Sequence, residues 1–221
     1  EQNKSDANIR SSCFHRVHAF MKRIVVLASG RGSNFRAVLS AIEDHRIAGA
    51  HIIALVSDRS GTGAEQIARD ANIPVTLVDY SDKSKRASSD ENLTQVISNL
   101  APDCVLALGF MRILPEKLVL AFRHKIINVH PSLLPAFPGM NAQKQALEYG
   151  VRVTGATVHF VDTGVDTGPI ILQSAVQVPA RATLEEITDL IQTEEHRIVV
   201  QALDLFLKDQ IQVDGRKVLI K

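Results

Sequence analysis

The sequence predicts an α/β fold built on a doubly wound, mostly parallel sheet. Between residues 23 and 108, four short apolar runs alternate with amphipathic stretches, which is the spacing of repeated strand–helix units. The apolar runs contain few polar residues, as expected for strands that helices cover on both faces. From about residue 150 onward, two further strand patterns and one long helical pattern predict an antiparallel portion and a long C-terminal helix.

The parallel strands and their crossover helices lie in the first half of the chain. Apolar runs predict strands at 23–28, 51–57, 74–78 and 103–108, and amphipathic stretches predict helices at 34–44, 62–71 and 84–99. Pro115 then opens a short helix, because proline is tolerated at an early helical position. A fifth strand at 125–129 runs into a loop that holds three of the eight prolines of the chain.

The second half predicts a helix and an antiparallel pair of strands. The helix at 141–149 ends at Gly150, a residue type that commonly terminates helices. Residues 152–161 alternate between apolar and polar types, which predicts a half-exposed strand. Residues 169–178 follow after a short loop and are expected to pair with this strand in antiparallel fashion.

A long helix and a hairpin complete the chain. Apolar residues keep a helical period over 183–208, and Thr183 precedes Glu186 by the three residues of a capping box. The last strands lie within 211–220, with Asp214-Gly215 as the predicted turn.

Composition and charge exclude several classes of protein. The formal net charge of the 221 residues is +1, so no overall positive field attracts nucleic acid or a membrane surface. No apolar run approaches the roughly 20 residues that span a bilayer. Cys13 and Cys104 are the only cysteines and predict neither a disulfide framework nor a zinc site. We expect small-molecule substrates, no nucleic-acid or membrane partner, a cytoplasmic location, and a monomer or homodimer.

The first 20 residues differ from the rest of the chain. Residues 1–20 contain neither the apolar core of a secretory signal nor a strand or helix period, so we interpret them as an extension that is not part of the fold. Residues 21–221 show no internal repeat, low-complexity tract or linker, which predicts a single domain.

The stretch S-G-R-G-S-N, residues 29–34, lies between the first strand and the first helix. Its glycines allow a tight turn, and the amide groups at a helix N-terminus favour anions, which predicts a phosphate site. Phe35 stands where a dinucleotide fingerprint needs a third glycine, and the lysine of a P-loop is absent. The alternative is a plain strand-to-helix turn that Ser33 or Asn34 caps.

The stretch I-I-N-V-H-P-S-L-L-P-A-F-P-G, residues 126–139, places Asn128 and His130 on one side of a strand. Their position at the carboxyl end of a parallel strand is where open α/β sheets bind ligands. Histidine is suited to proton transfer near neutral pH, and an asparagine amide can stabilise an oxyanion. The alternative for His130 is a structural histidine with satisfied hydrogen bonds.

Three further features are candidates for the same site. The stretch V-D-T-G-V-D-T-G-P, residues 161–169, is a tight loop, and a carboxylate of either Asp162 or Asp166 would raise the pKa of a nearby imidazole. Gln192 and Glu195 share one face of the last helix, for which a solvated face is the alternative. Residues 109–114, G-F-M-R-I-L, would line an apolar pocket in which Arg112 pairs with a carboxylate, or would form a loop against the core.

These motifs together resemble the folate-dependent formyltransferases. The resemblance covers about residues 22–221 and rests on I-I-N-V-H-P-S-L-L-P, D-T-G-P-I-I-L-Q and G-F-M-R-I-L. S-G-R-G-S-N and Q-T-E-E-H narrow it to the branch that acts on glycinamide ribonucleotide. The resemblance implies a Rossmann-like fold and transfer of a formyl group from 10-formyltetrahydrofolate, the co-substrate, to the amino group of glycinamide ribonucleotide in purine biosynthesis, without a metal.

The resemblance also implies roles for individual residues. The catalytic trio corresponds to Asn128, His130 and Asp166, which selects Asp166 over Asp162. The implied ribonucleotide contacts are Gly32, Ser33, Asn34, Gln192 and Glu195. The implied folate contacts are Arg86, Met111, Arg112, Ile113 and Leu114, together with Asp162, Thr163, Gly164, Val165 and Asp166. Residues 21–120 would then form the phosphate- and ribonucleotide-binding half, and residues 121–221 the catalytic and folate-binding half.

One segment departs from the family pattern. Relatives carry histidines after Pro-Gly, whereas residues 139–144 of this chain are G-M-N-A-Q-K, with Asn141 and Gln143 at those places. No role of those histidines is therefore carried over, and whether Asn141 or Lys144 replaces them is left open.

Three rival functions use related motifs. A 10-formyltetrahydrofolate hydrolase would share the trio, but that family adds a regulatory domain, and here only 20 unpatterned residues precede the first strand. A methionyl-tRNA formyltransferase would be longer and more basic. A non-catalytic folate- or phosphate-binding module would not need all three trio residues.

Overall fold

The computed structural model describes residues 21–221, and the predicted extension over residues 1–20, with Cys13, lies outside them. The strands of the main sheet are β1 (Lys22–Leu27), β2 (Ala50–Ser57), β3 (Val75–Leu77), β4 (Cys104–Ala107), β5 (Ile126–His130), β6 (Val153–Phe160) and β7 (Ile170–Gln177). Their order is β3-β2-β1-β4-β5-β6-β7. The pairs from β3 to β5 are parallel, whereas β6 is antiparallel to both β5 and β7. The predicted mostly parallel sheet with an antiparallel portion is confirmed.

Helices cover both faces of this sheet. They are α1 (Ser33–Glu43), α2 (Gly63–Asp70), α3 (Arg86–Leu100), α4 (Glu116–Ala121), α5 (Ala142–Tyr149) and α6 (Leu184–Leu207), with a 3-10 turn at Lys83–Lys85 before α3. In β1, Ile24 and Val26 pack in the core cluster that includes α1, α2 and α6, whereas Val25 and Leu27 pack in the cluster that includes α3 and α4. The near-continuous apolar strands of the sequence follow from this burial on both faces.

The strand order places a crevice beside β1. The chain leaves β1 towards β2 and β3 and then returns to β4 on the other side of β1. Because the segments after β1 and β4 therefore diverge, the carboxyl ends of these two strands border an opening in which ligands of doubly wound folds bind. The Ser29 amide donates to the Gly109 carbonyl oxygen at 3.1 Å, which joins the two segments where they separate.

Helix α6 begins with the predicted capping box. The Thr183 hydroxyl accepts a hydrogen bond from the Glu186 amide at 3.2 Å, and the Glu186 carboxylate accepts one from the Thr183 amide at 2.8 Å. Buried residues along the helix, among them Ile187, Ile191 and Ile198, pack against β5, β6, β7 and α1. One helix therefore connects the antiparallel portion of the sheet to the first strand–helix unit.

Two details of the predicted antiparallel portion are wrong. Strand β6 is buried from Thr154 to Phe160 rather than half-exposed, because loops cover the face that does not contact α6. The C-terminal hairpin pairs β8 (Ile211–Asp214) with β9 (Lys217–Ile220), and Asp214 still pairs with Lys217. Its two loop residues are therefore Gly215 and Arg216, one position later than predicted, and Gly215 has a φ of 58°.

Within residues 21–221, none of the helices combines the length and the apolar character that a membrane crossing requires. Cys104 is fully buried in β4, and this burial raises the pKa of its thiol well above the usual range. In the same part of the chain, no group of three His, Cys, Asp or Glu side chains is arranged to hold a metal ion.

We expect Thr183→Ala to lower the free energy of unfolding by about 1 kcal/mol, because the α6 capping box loses its side-chain acceptor. Urea titration of the wild type and the variant measures this difference. Thr193→Ala is the matched control, because Thr193 is an exposed residue of the same helix whose hydroxyl donates to the Asp189 carbonyl oxygen. Alanine favours a helix interior there, so a loss in the control equal to that of Thr183→Ala would contradict the assignment to the cap.

Candidate active site

The face of β5 that points away from α6 carries the two polar side chains predicted for a site. Ile127 and Val129 pack in the core cluster with α6, so Asn128 and His130 point to the opposite face. Strand β5 extends beyond β4, since Ala107, the last residue of β4, pairs with Asn128. Asn128 and His130 therefore lie at the carboxyl edge of the parallel strands, as predicted.

His130 is a buried histidine with an oxygen acceptor at each ring nitrogen. Its exposed fraction is 5%, Nε2 lies 2.8 Å from the Phe137 carbonyl oxygen, and Nδ1 lies 3.3 Å from Oδ2 of Asp166. A carbonyl oxygen and a carboxylate only accept hydrogen bonds, so both contacts are satisfied together when the ring carries two protons. The Phe137 carbonyl oxygen and the Asp166 carboxylate thus fix the orientation of the His130 ring.

Asp166 joins two loops at this point. Its Oδ2 also accepts the Gly139 amide at 2.8 Å, so that the proline-rich loop after β5 and the loop between β6 and β7 meet at one carboxylate. The backbone of Asp166 has a φ of 55°, in the left-handed region that non-glycine residues seldom adopt. Asp162 instead accepts bonds within its own loop, from the Gly164 amide at 3.1 Å and the Thr167 hydroxyl at 2.6 Å. Of the two aspartates, Asp166, which the family resemblance selects, lies beside His130.

A residue that the sequence analysis missed, His159, contacts Asn128 across the strands. The two residues are paired in register, and Nδ2 of Asn128 lies 3.2 Å from Nε2 of His159. His159 is 2% exposed, and burial lowers its pKa despite the nearby Asp166 carboxylate. In the neutral ring, Nδ1–H donates to the Phe160 carbonyl oxygen at 2.9 Å, which leaves Nε2 to accept from the Asn128 amide. His159 therefore fixes the orientation of that amide.

The proline-rich loop over residues 131–139 is anchored by the same face of β6 and β7. The Thr157 hydroxyl donates to the Ser132 carbonyl oxygen at 2.7 Å and accepts the Leu134 amide at 3.1 Å. Gln173 donates to the Leu134 carbonyl oxygen at 2.9 Å. The alternation in T-G-A-T-V-H-F, which predicts a half-exposed strand, instead marks this buried polar face.

The loop over residues 29–34 presents its backbone at the start of α1. Gly32 is the N-cap with a φ of 79°, and a Cβ there would lie 2.8 Å from the Ala64 Cα, so both conformation and space require glycine. No side chain caps α1. The Ser33 hydroxyl accepts from Gln192 at 2.8 Å, and the Asn34 amide donates to Glu195 at 3.3 Å. The alternative of a turn capped by Ser33 or Asn34 is therefore wrong.

Glu195 is a buried carboxylate beside this loop. It is 8% exposed, and burial raises its pKa to about 7, although Asn34 and Arg31 act in the opposite direction. The alternative of a solvated helix face is thus wrong for Glu195. Among the described residues, Oδ1 of Asn34 has no hydrogen-bond partner although it is buried. A buried unpaired acceptor at the N-terminus of a helix is expected where a ligand supplies the missing donor.

The segment after β4 exposes apolar side chains beside the crevice. Met111 and Ile113 are 58% and 59% exposed, whereas Leu114 packs against the core cluster of α3 and α4. Arg112 pairs with a carboxylate, as predicted, but the carboxylate is that of Asp58, with Nε 2.6 Å from Oδ2. Arg86 pairs with Asp90 at 3.8 Å on α3.

The remaining predicted residues lie on the covering loops. Val165, in the loop that carries Asp166, is 49% exposed. Asn141 is exposed and precedes α5 with a φ of 59°, and it makes no side-chain cap. Lys144 pairs with Glu148 along α5 at 3.6 Å, so its charge is directed to its own helix rather than to His130.

Comparisons with known proteins agree with this architecture. The family model described as formyl transferase matches residues 22–203. A phosphoribosylglycinamide formyltransferase of Mycobacterium tuberculosis is 42% identical over 195 residues, which are 88% of this chain and 89% of that protein. The chain also matches trifunctional purine biosynthetic proteins, such as that of Bos taurus, but spans 19% of the length of that relative.

Solved structures give the same result. The crystal structure of glycinamide ribonucleotide transformylase 1 from Symbiobacterium toebii superposes with a TM-score of 0.85 at 42% identity and covers 90% of this chain and 94% of its own. A formyltetrahydrofolate deformylase from Pseudomonas syringae pv. tomato superposes with a TM-score of 0.84 at 27% identity, and 65% of its chain is covered. Because the family model matches most of the sequence, the chain belongs to the formyl transferase family.

Proposed function

We propose that this chain transfers a formyl group from 10-formyltetrahydrofolate to the amino group of glycinamide ribonucleotide, a step of purine biosynthesis. The observation that carries the proposal is the contact of His130 with Asp166 beside Asn128, at the edge of the sheet that also bears the loop over residues 29–34. The similarity to the Mycobacterium tuberculosis protein, over nearly its full length, supports the choice of substrates.

The proposed reaction is a direct attack of the substrate amine on the formyl carbon. The attack generates a tetrahedral oxyanion, which the second N–H of the Asn128 amide and an N–H of protonated His130 stabilise. Aligned donors of this kind contribute on the order of 3 kcal/mol each to transition-state stabilisation. His159 supports this role because it engages only one of the two amide N–H groups of Asn128.

Proton transfer is assigned to the His130–Asp166 pair. The attacking nitrogen must lose a proton, and the departing folate nitrogen must gain one. Asp166 lies against Nδ1 of His130 and orients the ring, so that Nε2 can exchange a proton with the substrates after it leaves the Phe137 carbonyl oxygen. The chain's own residues thus provide the acid, the base and the oxyanion donors.

The proposed substrate sites flank this trio. Backbone amides of Gly32, Ser33 and Asn34 would bind the phosphate at the positive end of α1, and Gln192 and Glu195 would contact the rest of the ribonucleotide. The proposed folate site comprises Met111–Leu114, the backbone of Asp162–Asp166 and Arg86. Each site uses residues from both proposed halves of the chain, 21–120 and 121–221, so the two halves bind the substrates jointly.

The principal alternative is hydrolysis of 10-formyltetrahydrofolate, in which water replaces the amine. The deformylase of Pseudomonas syringae has the same overall fold, but its identity to this chain is 27%, compared with 42% for the transformylase of Symbiobacterium toebii. We further propose a cytoplasmic location and a monomeric or homodimeric state. We also propose that the chain has no nucleic-acid or membrane partner, for which the formal net charge of +1 is the supporting observation.

The first expected outcome is that tetrahydrofolate is released only when glycinamide ribonucleotide is present. The amine is the required acceptor in transfer, whereas a hydrolase needs only water. Absorbance measures the release of tetrahydrofolate, and mass spectrometry measures the formylated ribonucleotide. Release of tetrahydrofolate at an equal rate without the ribonucleotide would identify a hydrolase instead.

We expect His130→Asn to lower kcat by about 10²–10⁴-fold, because the proton-transfer group is lost. Binding of glycinamide ribonucleotide, measured by calorimetry, should change little, since His130 is not among its proposed contacts. His45→Asn is the control, because His45 is exposed and has a φ of 58°, a conformation that asparagine tolerates. An equal loss of kcat in both variants would refute the catalytic assignment.

The raised pKa of Glu195 predicts a pH-dependent stability cost. Below the unfolded pKa of about 4.5 both states keep the proton, but between there and about pH 7 only the folded state does, so stability falls as the pH rises. We expect Glu195→Gln to match the wild type near pH 4 and to exceed its unfolding free energy by up to about 3 kcal/mol at pH 8. Urea titrations across this pH range measure the difference.

The neighbouring Glu194 is the matched control. Hydrogen bonds from Ser174 and Arg197 lower its pKa, so its stabilisation is present above its unfolded pKa and is lost as the pH falls. Glu194→Gln should therefore be less stable than the wild type at pH 8, the opposite sign. A Glu195→Gln variant that is less stable at pH 8 than at pH 4, relative to the wild type, would contradict the prediction.

A further inference from the structure

An ion pair between a buried carboxylate and a partly exposed arginine crosses the end of β1. Asp58 follows the last residue of β2, and Arg112 lies after β4, and these two strands flank β1 on either side. Two strand spacings correspond to roughly 10 Å, so the Arg112 side chain must extend over the carboxyl end of β1 to reach Asp58. Its Nε donates to Oδ2 of Asp58 at 2.6 Å. The pair therefore bridges the crevice at the strand end from which the loop over residues 29–34 begins.

The Asp58 carboxylate is built into the protein as a fixed anion. Its side chain is fully buried, and Arg59 donates to its other oxygen at 3.3 Å. Burial raises the pKa of the Asp58 carboxyl, but the Ser29 hydroxyl and the two guanidinium groups together lower it below its usual value. Among the described residues, the Ser29 hydroxyl has no partner within hydrogen-bond geometry. A buried carboxylate of this kind holds its partner strongly, because an unpaired charge is costly there.

The Arg112 guanidinium is held on a second side by Tyr80. Its central carbon lies 5.2 Å from the centroid of the Tyr80 ring, within the range of a cation–π contact. Tyr80 is buried and donates to Asp90 at 2.8 Å, and Asp90 also pairs with Arg86 at 3.8 Å. A continuous set of contacts thus runs from β2 through Arg112 to the start of α3, where another proposed folate contact lies.

The segment that Arg112 belongs to is held at its ends, where Phe110 and Leu114 pack against the core, but has few contacts at its centre. Residues 109–114 contain no helix or strand, and Met111 and Ile113 on either side of Arg112 are largely exposed. An irregular segment with exposed apolar side chains is mobile unless specific contacts hold it. The Arg112 side chain supplies such a contact, at the position between the two exposed residues.

We propose that Asp58 is a positioning residue for the folate co-substrate, which acts by holding Arg112 and with it the 109–114 segment in the conformation that receives folate. The inference rests on the proposed function, because it deepens the assignment of that segment to the folate site. It also changes the role of Arg112. Since its guanidinium is occupied by Asp58 and Tyr80, Arg112 contributes through the placement of its backbone and neighbours rather than through an ion pair with folate.

The test is a double-mutant cycle with Asp58→Asn, Arg112→Gln and the double variant. Formyl transfer gives kcat and both KM values, and calorimetry with tetrahydrofolate measures binding of the folate without turnover. We expect each single variant to raise the folate KM and the tetrahydrofolate Kd by about tenfold, and the double variant to be no worse than either single one. The ribonucleotide KM and kcat should change by less than about twofold in each variant.

The control is Glu91→Gln, which removes an exposed ion pair between Glu91 and Lys117 of 2.9 Å, on the sheet face covered by α3 and α4. It should leave both KM values unchanged. If Asp58→Asn fails to fold, amide hydrogen exchange of residues 109–114 in Arg112→Gln decides the question, because Asp58 then keeps Arg59 and the Arg112 side chain is 36% exposed. Faster exchange with a raised tetrahydrofolate Kd supports positioning, whereas a raised Kd with unchanged exchange means that Arg112 binds folate directly.

Two results would overturn the proposal. The first is an unchanged folate KM and tetrahydrofolate Kd in Asp58→Asn alongside raised values in Arg112→Gln, which would mean that Arg112 binds folate directly. The second is a lower melting temperature with neither constant changed, which would make the pair purely structural. If the wild type binds tetrahydrofolate but forms no formylated ribonucleotide, the proposed function fails while the calorimetric cycle still tests Asp58.

Discussion

Strand β5 is the constraint on which the site depends, because it is the only strand of the main sheet that pairs in parallel on one side and antiparallel on the other. Its parallel partner β4 ends level with Asn128, so the end of β5 projects to the edge of the sheet. Its antiparallel partner β6 places His159 opposite Asn128. The alternation of a strand then decides which side chains meet: the apolar residues pack against α6, and the polar ones share the other face.

The same arrangement explains why two loops cover this face. No helix packs on Asn128, His130 and His159, so the segments after β5 and between β6 and β7 exclude water there. Hydrogen bonds hold these segments in place, chiefly those of the Asp166 carboxylate and the Thr157 hydroxyl. Hydrogen bonds of this kind are directional, and they position the groups around His130 more narrowly than apolar packing would.

Three buried titratable groups lie around the crevice, and their surroundings shift their pKa values in different ways. Asp58 has two arginine partners and stays charged, Glu195 has only an amide within hydrogen-bond distance and its pKa rises to about 7, and the burial of His159 favours the neutral ring. Burial of such groups opposes folding, and folds retain them where ligands are bound. These three groups lie at one edge of the sheet, whereas the interior below that edge is apolar.

The sequence by itself determined the order of strands and helices, the turn glycines and the cap of α6, because these follow from local periodicity and from the conformations that single residues adopt. It also indicated Asn128 and His130, since two residues on one strand share a face whatever the rest of the fold does. The contacts between distant segments were decided only by the tertiary structure. The pairing of His159 with Asn128, the contact of Glu195 with Asn34 and the bridge from Arg112 to Asp58 join residues far apart in the chain. No local pattern records which strands become neighbours or which polar face a loop will cover.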